Sequence, residues 1–338
     1  MTIAIETRGL TRVHGDIRAL DDVTVRIHEN VITGLLGRNG AGKTTFMSLA
    51  TAQDRPSAGE VRLWPQGASP EQTAVTRHGD AHARGEKPFE HARVLEQMCF
   101  IRDNQRYPDD YRLRHALRAA RIFYPNWSQE LADELVELFR IPQKTVIKKF
   151  SRGQFSALGI VLGLASRAPI TFFDEPYLGL DATARGYFYD ALLRDYAAHP
   201  RTIVLSTHLI DEMDRLLERV VILDRGRVVQ DAEVDELRGL AHQVSGREGE
   251  VERYAAGRRV LGRHRVGGLA SFVIEGRVSD EDRAAAAAGD LEIGPVSLQD
   301  LVAAYGAADP ESADPTADAG DTAAPEPTLE HTRKGVRS

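Results

Sequence analysis

The stretch that sets the fold of this chain is residues 37–44, which read Gly37-Arg38-Asn39-Gly40-Ala41-Gly42-Lys43-Thr44. They match the pattern G-x-x-x-x-G-K-[ST] at every fixed position. The glycines let the backbone curl and direct successive N–H groups at phosphate oxygens. Lys43 is expected to reach the β- and γ-phosphates of a nucleotide, and the Thr44 hydroxyl to ligate Mg²⁺. The stretch therefore predicts a phosphate-binding loop.

The segments on either side of this loop have the character that the motif requires. Residues Val31–Leu36 are short, apolar and partly β-branched, which is typical of a buried parallel strand. Residues Thr45–Ala50 contain neither Gly nor Pro, which favours a helix whose N-terminus adds partial positive charge at the phosphates. A strand, a glycine loop and a helix in this order predict an α/β fold.

The composition restricts the class of partner. The 338 residues carry a formal net charge of -7, whereas a nucleic-acid partner would favour a basic face. The single cysteine, Cys99, excludes an internal disulfide framework and fits a reducing compartment. The chain has no signal-peptide layout and no run of 18 apolar residues, so any membrane role is expected to come through a partner.

The first half of the chain contains strands and then helices. Strand-like patterns occur at Ile3–Glu6, Val23–Ile27 and Val61–Trp64. Residues 65–92 are polar and rich in Gly, Pro, His and Arg, and we predict a surface insertion there. From residue 109 to about residue 167 apolar side chains recur at helical spacing. This pattern predicts a helical block inserted into the α/β frame.

The α/β pattern returns in the second half. Residues Ile170–Glu175 and Ile203–His208 resemble buried strands with polar ends, and Val220–Val229 resembles a hairpin. Residues 240–305 are predicted to form a small separate module with mixed strands and a final helix. Residues 306–338 hold seven acidic residues and four prolines but almost no large apolar side chain, which predicts a disordered tail.

Two acids, Asp174 and Glu175, stand at the carboxyl end of a predicted buried strand. Open α/β sheets place their ligands at this end of the strands. Asp174 is expected to hold Mg²⁺ through water, and Glu175 to take a proton from an attacking water. An acid pair that simply begins a loop is the alternative, but the phosphate loop upstream favours the functional interpretation.

A further motif, Phe150-Ser151-Arg152-Gly153-Gln154, precedes a predicted helix. A helix cap alone would explain Ser151. Because the phosphate loop lies upstream and the acid pair downstream, the whole resembles the ATP-binding subunit of ABC transporters over roughly residues 3–235. The resemblance implies a P-loop NTPase core in residues 1–239, with an antiparallel β subdomain and an inserted helical subdomain at about 109–167. The module at 240–305 would then be a small C-terminal α+β addition.

The resemblance also implies roles in ATP hydrolysis for single residues. Glu175 would be the catalytic base, and His208 the switch histidine that bonds the γ-phosphate. Gln105 looks like the glutamine of the loop that joins the core to the helical subdomain, where it would meet Mg²⁺ beside Thr44 and Asp174. A lone histidine is more often structural and a lone glutamine more often exposed, so these alternatives stay open.

Other residues would contact ATP along its length or across a subunit interface. His14 stands where the family usually has an aromatic residue that stacks on adenine. The signature motif departs from the usual L-S-G-G-Q at Phe150 and Arg152. Ser151 and Gly153, which in the family face the γ-phosphate, are retained. The implied ATP contacts outside residues 37–44 are Thr45, His14, Ser151, Gly153, Gln154 and Asp181.

One phosphate loop and one signature motif per chain imply a dimer, because the family holds each nucleotide between the loop of one subunit and the signature of another. The second ATP-binding subunit would be identical or different, and a membrane-spanning permease would be a separate partner. The resemblance thus implies a transporter ATPase, cytoplasmic and peripheral on the inner face of the cell membrane, with export slightly favoured. The alternatives are a non-transporter ABC ATPase acting as a soluble dimer and a regulatory ATP-binding module with little turnover.

Overall fold

The computed structural model of the protein describes residues 2–64, 85–89 and 91–307. Most of the predicted surface insertion at 65–92 lies outside these residues, and so does the predicted tail from residue 308 onward. The described residues form three sheets with helices packed against them, and the predicted α/β class is confirmed. Among these residues no helix has the length and apolar character needed to cross a membrane.

The central element is a six-stranded sheet in the order β5-β6-β7-β3-β8-β9. Its strands are β3 (Ile32–Leu36), β5 (Met98–Arg102), β6 (Ile170–Asp174), β7 (Thr202–Ser206), β8 (Arg219–Asp224) and β9 (Arg227–Glu233). All run parallel except β9. Every residue of β3, β6 and β7 is buried, as expected for strands covered on both faces. Because these three strands are parallel neighbours, the loops that follow them meet at one edge of the sheet.

A three-stranded antiparallel sheet packs against the helix that follows the phosphate loop. It contains β1 (Ile3–His14), β2 (Ile17–His28) and β4 (Ala58–Leu63), and the helix is α1 (Lys43–Ala50). Ile5, Leu20 and Phe46 belong to the core that they share. Strand β1 continues beyond its predicted end at Glu6, because Gly9 adopts a φ of 57° in a bulge that keeps the pairing with β2.

The predicted helices at 109–167 are confirmed. They are α3 (Leu113–Phe123), α4 (Gln129–Leu138) and α5 (Arg152–Ser166), and the short α2 (Ala92–Leu95) precedes β5. Ser128 caps α4 by accepting a hydrogen bond from the Leu131 N–H. Gly163 allows α5 to pack directly on β6, since a Cβ at this position would lie 2.4 Å from the Phe173 ring.

Helices α6 (Ala182–Ala198) and α7 (Ile210–Met213) connect β6 to β7 and β7 to β8, and α8 (Val234–Arg238) leads from β9 to the next sheet. The predicted hairpin at Val220–Val229 is confirmed by the pairing of β8 with β9. Helix α7 is shorter than the Asp211–Leu217 helix that the sequence predicts, because the chain turns after Met213 to enter β8.

Residues beyond α8 form a third sheet, in the order β11-β12-β10-β13, with its own small core. The elements are β10 (Ala241–Arg247), α9 (Glu248–Ala255), β11 (Val260–Val266), β12 (Leu269–Glu275), α10 (Asp280–Ala288), β13 (Glu292–Pro295) and α11 (Leu298–Ala307). The final helix α11 contacts both β11 and β8. We therefore propose that residues 240–305 form the predicted module and that α11 connects it to the central sheet.

Candidate nucleotide-binding site

The phosphate loop between β3 and α1 has a backbone that only glycine can form at two positions. Gly37 and Gly42 have φ values of 141° and 104°. A Cβ at Gly37 would lie 2.2 Å from the Leu223 carbonyl oxygen, and one at Gly42 would lie 2.6 Å from that of Ala19. The loop is therefore wedged between β8 and β2, and helix α1 starts at its end with free N–H groups.

Lys43 is buried and is held by the loop that it follows. Its Nζ donates to the carbonyl oxygens of Gly37 at 2.8 Å and Arg38 at 3.1 Å. Burial lowers the pKa of Lys43, whereas the carboxylates of Glu175 and Asp174 oppose that shift. The ammonium group thus lies where a nucleotide's β- and γ-phosphates would replace the loop carbonyls as its partners.

The ends of β6, β7 and the phosphate loop meet at Asp174, which is buried. Thr44 Oγ1 donates to Asp174 Oδ2, and Ser206 Oγ donates to Asp174 Oδ1, both at 2.7 Å. A hydroxyl and a carboxylate on neighbouring elements are hard oxygen donors of the kind that Mg²⁺ prefers. The residues present therefore fit a magnesium ion.

Glu175 follows Asp174 with a φ of 48°, a strained conformation for a residue other than glycine. Its backbone N–H donates to Ser206 Oγ at 3.0 Å, and its Oε2 lies 3.2 Å from His208 Nδ1. The sheet thus brings the predicted base and the predicted switch histidine into direct contact. A carboxylate beside an imidazole is an arrangement that can accept a proton and stabilise negative charge.

A cavity of about 430 Å³ opens beside the phosphate loop. Its lining residues, among those that the structure describes, are Ile17, Arg18, Ala19, Asn39, Gly40, Gly42, Lys43, Thr44, Thr45, Glu175 and Arg225. His14, the last residue of β1, is not one of them, and its Nε2 lies 4.0 Å from Asp54 Oδ2. Ile17, whose side chain is 71% exposed, lies at the cavity instead. Sequence reasoning missed Ile17, because nothing in the pattern distinguishes it from another strand residue.

The signature motif lies at a second cavity, of about 460 Å³. Ser151 Oγ accepts the Gln154 N–H at 3.2 Å and Gln154 Oε1 accepts the Ser151 N–H at 3.0 Å, which caps α5. A Cβ at Gly153 would lie 2.5 Å from the Gly179 carbonyl oxygen, so the signature touches the loop before α6. Asp181 caps α6 through the Ala184 N–H. The two interpretations of Ser151 are compatible, since a cap leaves the serine at a helix N-terminus beside the cavity.

The predicted site residues thus fall into two groups. Thr44, Asp174, Glu175 and His208 are linked by hydrogen bonds and one ion pair, in part through Ser206, and the charges of both acids act on Lys43. Lys43, Thr44 and Glu175 line the first cavity, and Ser151, Gly153 and Gln154 line the second. Gln105 is half-buried in the loop after β5, and in the described part of the chain it borders neither cavity. Its implied contact with Mg²⁺ stays a prediction.

Sequence reasoning overlooked three residues that hold this network together. Ser206 joins both acids, and Tyr177 and Thr207 contact the backbone beside His208. The polar end of the otherwise apolar β7 was a visible signal for Ser206 and Thr207. Tyr177 carried no signal, because a tyrosine in a loop is more often a packing residue.

The comparisons with known proteins agree with this geometry. The family described as ABC transporter matches residues 20–178. The chain is 30% identical to the daunorubicin resistance ATP-binding protein DrrA3 of Streptomyces coeruleorubidus, over 70% of each chain. It is 25% identical to the ABC transporter ATP-binding protein YtrB of Bacillus subtilis, over 69% of this chain and 73% of that protein.

Solved structures share the fold. The ATP-binding subunit of an ABC transporter superposes with a TM-score of 0.56 at 24% identity, covering 70% of this chain and 92% of that one. The dimeric bacterial ABC transporter cassette MJ0796 superposes with a TM-score of 0.53 at 20% identity, covering 68% and 98%. Fold, site geometry and sequence relatives together establish that the chain belongs to the ABC transporter family and is one of its ATP-binding proteins.

Proposed function

We propose that this protein binds ATP with Mg²⁺, hydrolyses it as half of a dimer and thereby drives transport through a separate membrane permease. The observation that carries the proposal is the linked group of Thr44, Asp174, Glu175 and His208, whose acids act electrostatically on Lys43 beside the phosphate-loop cavity. Phosphoryl transfer to water requires mainly positioning and charge stabilisation, and these residues supply both.

Each residue of the network has a step of its own. Lys43 exchanges the loop carbonyls for the β- and γ-phosphates. Thr44 and Asp174 hold Mg²⁺, which neutralises phosphate charge when bound. Glu175 accepts the proton of the attacking water, while His208 bonds the γ-phosphate. Gln105, in the loop after β5, is proposed to meet Mg²⁺ beside Thr44 and Asp174.

The adenine end of the nucleotide is proposed to lie against Ile17 rather than against His14. Ile17 borders the cavity beyond Thr45 and Gly42, and its exposed side chain offers an apolar face to a base. His14 does not border this cavity, and its half-exposed ring lies 4.0 Å from Asp54. We expect His14→Ala to change ATP affinity less than Ile17→Ala does, as measured with a fluorescent ATP analogue.

The separation of the two cavities supports the dimer. No described residue borders both: the signature group of Ser151, Gly153, Gln154 and Asp181 lines one cavity and the phosphate loop lines the other. A second subunit is therefore proposed to bring its signature over the ATP held here, either as an identical copy or as a related chain.

The permease is proposed to dock near the loop that contains Gln105. Arg106 is exposed there, whereas the Tyr107 ring packs edge-to-face on Phe155 with 5.7 Å between ring centroids. Burial raises the pKa of Tyr107, and its truncation would disturb the helical subdomain itself. Arg106 is therefore the better residue to substitute, because the change should not disturb the packing of the helical subdomain. We expect Arg106→Ala to weaken membrane association and to leave ATP binding unchanged, with Arg121→Ala on α3 as the exposed control.

Export is the favoured direction, because relatives in Streptomyces and Mycobacterium are named for drug resistance. Such a function places the protein in the cytoplasm, against the inner face of the membrane. The test is purification of the tagged full-length chain from detergent-solubilised membranes. A multispanning protein in stoichiometric amount, together with Mg²⁺-dependent ATPase activity, is expected. A soluble dimer that hydrolyses ATP without any membrane partner would instead establish the non-transporter alternative.

A further inference from the structure

Two hydroxyl groups hold the backbone that carries His208. The Tyr177 hydroxyl accepts the His208 N–H at 2.9 Å and donates to Thr207 Oγ1 at 2.7 Å. Thr207 Oγ1 in turn accepts the Leu209 N–H at 2.9 Å. The result is one chain of hydrogen bonds that joins the loop after Glu175 to the two residues following Thr207.

These bonds satisfy groups that the local structure leaves unpaired. Helix α7 begins at Ile210, and its N-cap residue, Leu209, has no side-chain oxygen to cap it. The N–H groups of His208 and Leu209, which precede the helix, take their partners from Tyr177 and Thr207 instead. Tyr177 supplies one partner directly and orients Thr207 as the other.

Tyr177 also confines the imidazole. Its ring is 98% buried and meets the His208 ring edge-to-face, with centroids 5.6 Å apart. The Tyr177 hydroxyl lies 3.5 Å from His208 Nδ1, the same nitrogen that faces Glu175 Oε2. Burial raises the pKa of Tyr177 to about 12, so the hydroxyl keeps its proton at neutral pH. With Nδ1 facing these two groups, Nε2 is the nitrogen left to meet a phosphate.

We infer that Tyr177 is a positioning residue for ATP hydrolysis, which holds His208 in register with Glu175 through its hydroxyl group. This inference rests on the proposed roles of His208 and Glu175. The inferred role belongs to the hydroxyl group and not to the ring, because phenylalanine would fill the same space without bonding the His208 N–H or Thr207. The hydroxyl is therefore the group to remove.

The experiment measures the ATPase kinetics and the ATP affinity of the full-length protein and its Tyr177→Phe, His208→Ala and double variants. We expect Tyr177→Phe to lower kcat about tenfold, less than the ~10² that a 1 Å misplacement costs. ATP affinity should change less than about twofold, because Tyr177 does not touch the phosphate loop. In the His208→Ala background the same change should have no further effect, since the group that Tyr177 positions is already absent.

Tyr196→Phe is the control, since it removes the hydroxyl of another tyrosine, which is half-buried and donates to the acceptor pair of Asn30 O and Glu218 Oε1 away from the site. Thr207→Val breaks the same chain of hydrogen bonds at another residue and should lower kcat as Tyr177→Phe does. Equal kcat for Tyr177→Phe and Tyr196→Phe would overturn the inference, as would a Tyr177→Phe effect that persists without His208. If His208→Ala leaves kcat unchanged in an active enzyme, the proposed role of His208 fails first. An inactive wild-type protein would reject the proposed function as a whole.

Discussion

Ser206 links the two acids of the site, and its removal has a magnitude that follows from the structure. The residue is fully buried. Its hydroxyl donates to Asp174 Oδ1 at 2.7 Å and accepts the Glu175 N–H at 3.0 Å. A bond to a charged group contributes about 1.5–3 kcal/mol and a neutral one about 1 kcal/mol. Ser206→Ala should therefore lower the free energy of unfolding by about 3 kcal/mol, or roughly 6 °C in Tm at about 2 °C per kcal/mol.

The same change should alter how the enzyme uses magnesium. The Asp174 carboxylate is oriented by two hydrogen bonds, one from Thr44 and one from Ser206, and Ser206→Ala removes the second. Loss of such an outer contact typically weakens metal binding about 10- to 100-fold. We expect the Mg²⁺ concentration for half-maximal ATPase activity to rise at least about tenfold, with a lower kcat because Glu175 is also released.

Ser166 on α5 provides a matched control for this experiment. It is equally buried, donates to the Gly163 carbonyl oxygen at 2.8 Å and accepts the Ala168 N–H at 3.2 Å, but does not contact the site. Ser166→Ala should cost about 2 kcal/mol of stability and leave the Mg²⁺ titration unchanged. The reasoning is refuted if the two variants show the same Mg²⁺ dependence, because Ser206 would then have only a structural role.

Three further variants test the site and the core. Lys43→Ala should abolish measurable ATP binding in a protein with unchanged circular dichroism, and near-normal hydrolysis would contradict the assignment of the phosphate loop. Glu175→Gln should lower turnover by about 10²-fold or more and retain ATP, so that gel filtration with ATP detects a dimer; a monomer would require a different partner subunit. Asp195→Ala strands the buried Arg201, which lies 2.8 Å from its carboxylate, and thermal melts should show a loss of about 3–5 kcal/mol. A loss below about 1 kcal/mol, as for the exposed pair of Glu134 with Arg194, would show that water reaches Arg201.

Local patterns in the sequence predicted much of the fold correctly. Residues 37–44 identified the phosphate loop because glycine, lysine and threonine are required at fixed positions by local backbone geometry and chemistry. The caps at Ser128 and Ser151 were also predictable, since each serine side chain bonds an N–H that lies three residues later in the sequence. Strands β6 and β7 were recognised because strands buried on both faces are continuously apolar.

Other features depend on contacts between distant parts of the chain. Strand order decides that the end of β7 lies beside the end of β6, and only this neighbourhood brings Ser206 to Asp174 and Tyr177 to His208. The family resemblance places His14 near adenine, whereas in the fold Ile17 and not His14 borders the cavity. Likewise, nothing in the local pattern at 297–305 predicts that α11 packs on β8 as well as on its own sheet.

The sequence by itself therefore determined the phosphate loop, the acid pair and the signature motif, because each depends on residues within a few positions of one another. The order of these motifs along the chain then indicated the class of protein. The tertiary structure decided which side chains orient the acids and His208, and that the phosphate loop and the signature motif line different cavities. The physical reason is that a hydrogen bond between residues some thirty positions apart, such as that of Tyr177 with the His208 N–H, exists only after the sheet has placed both strand ends at one edge.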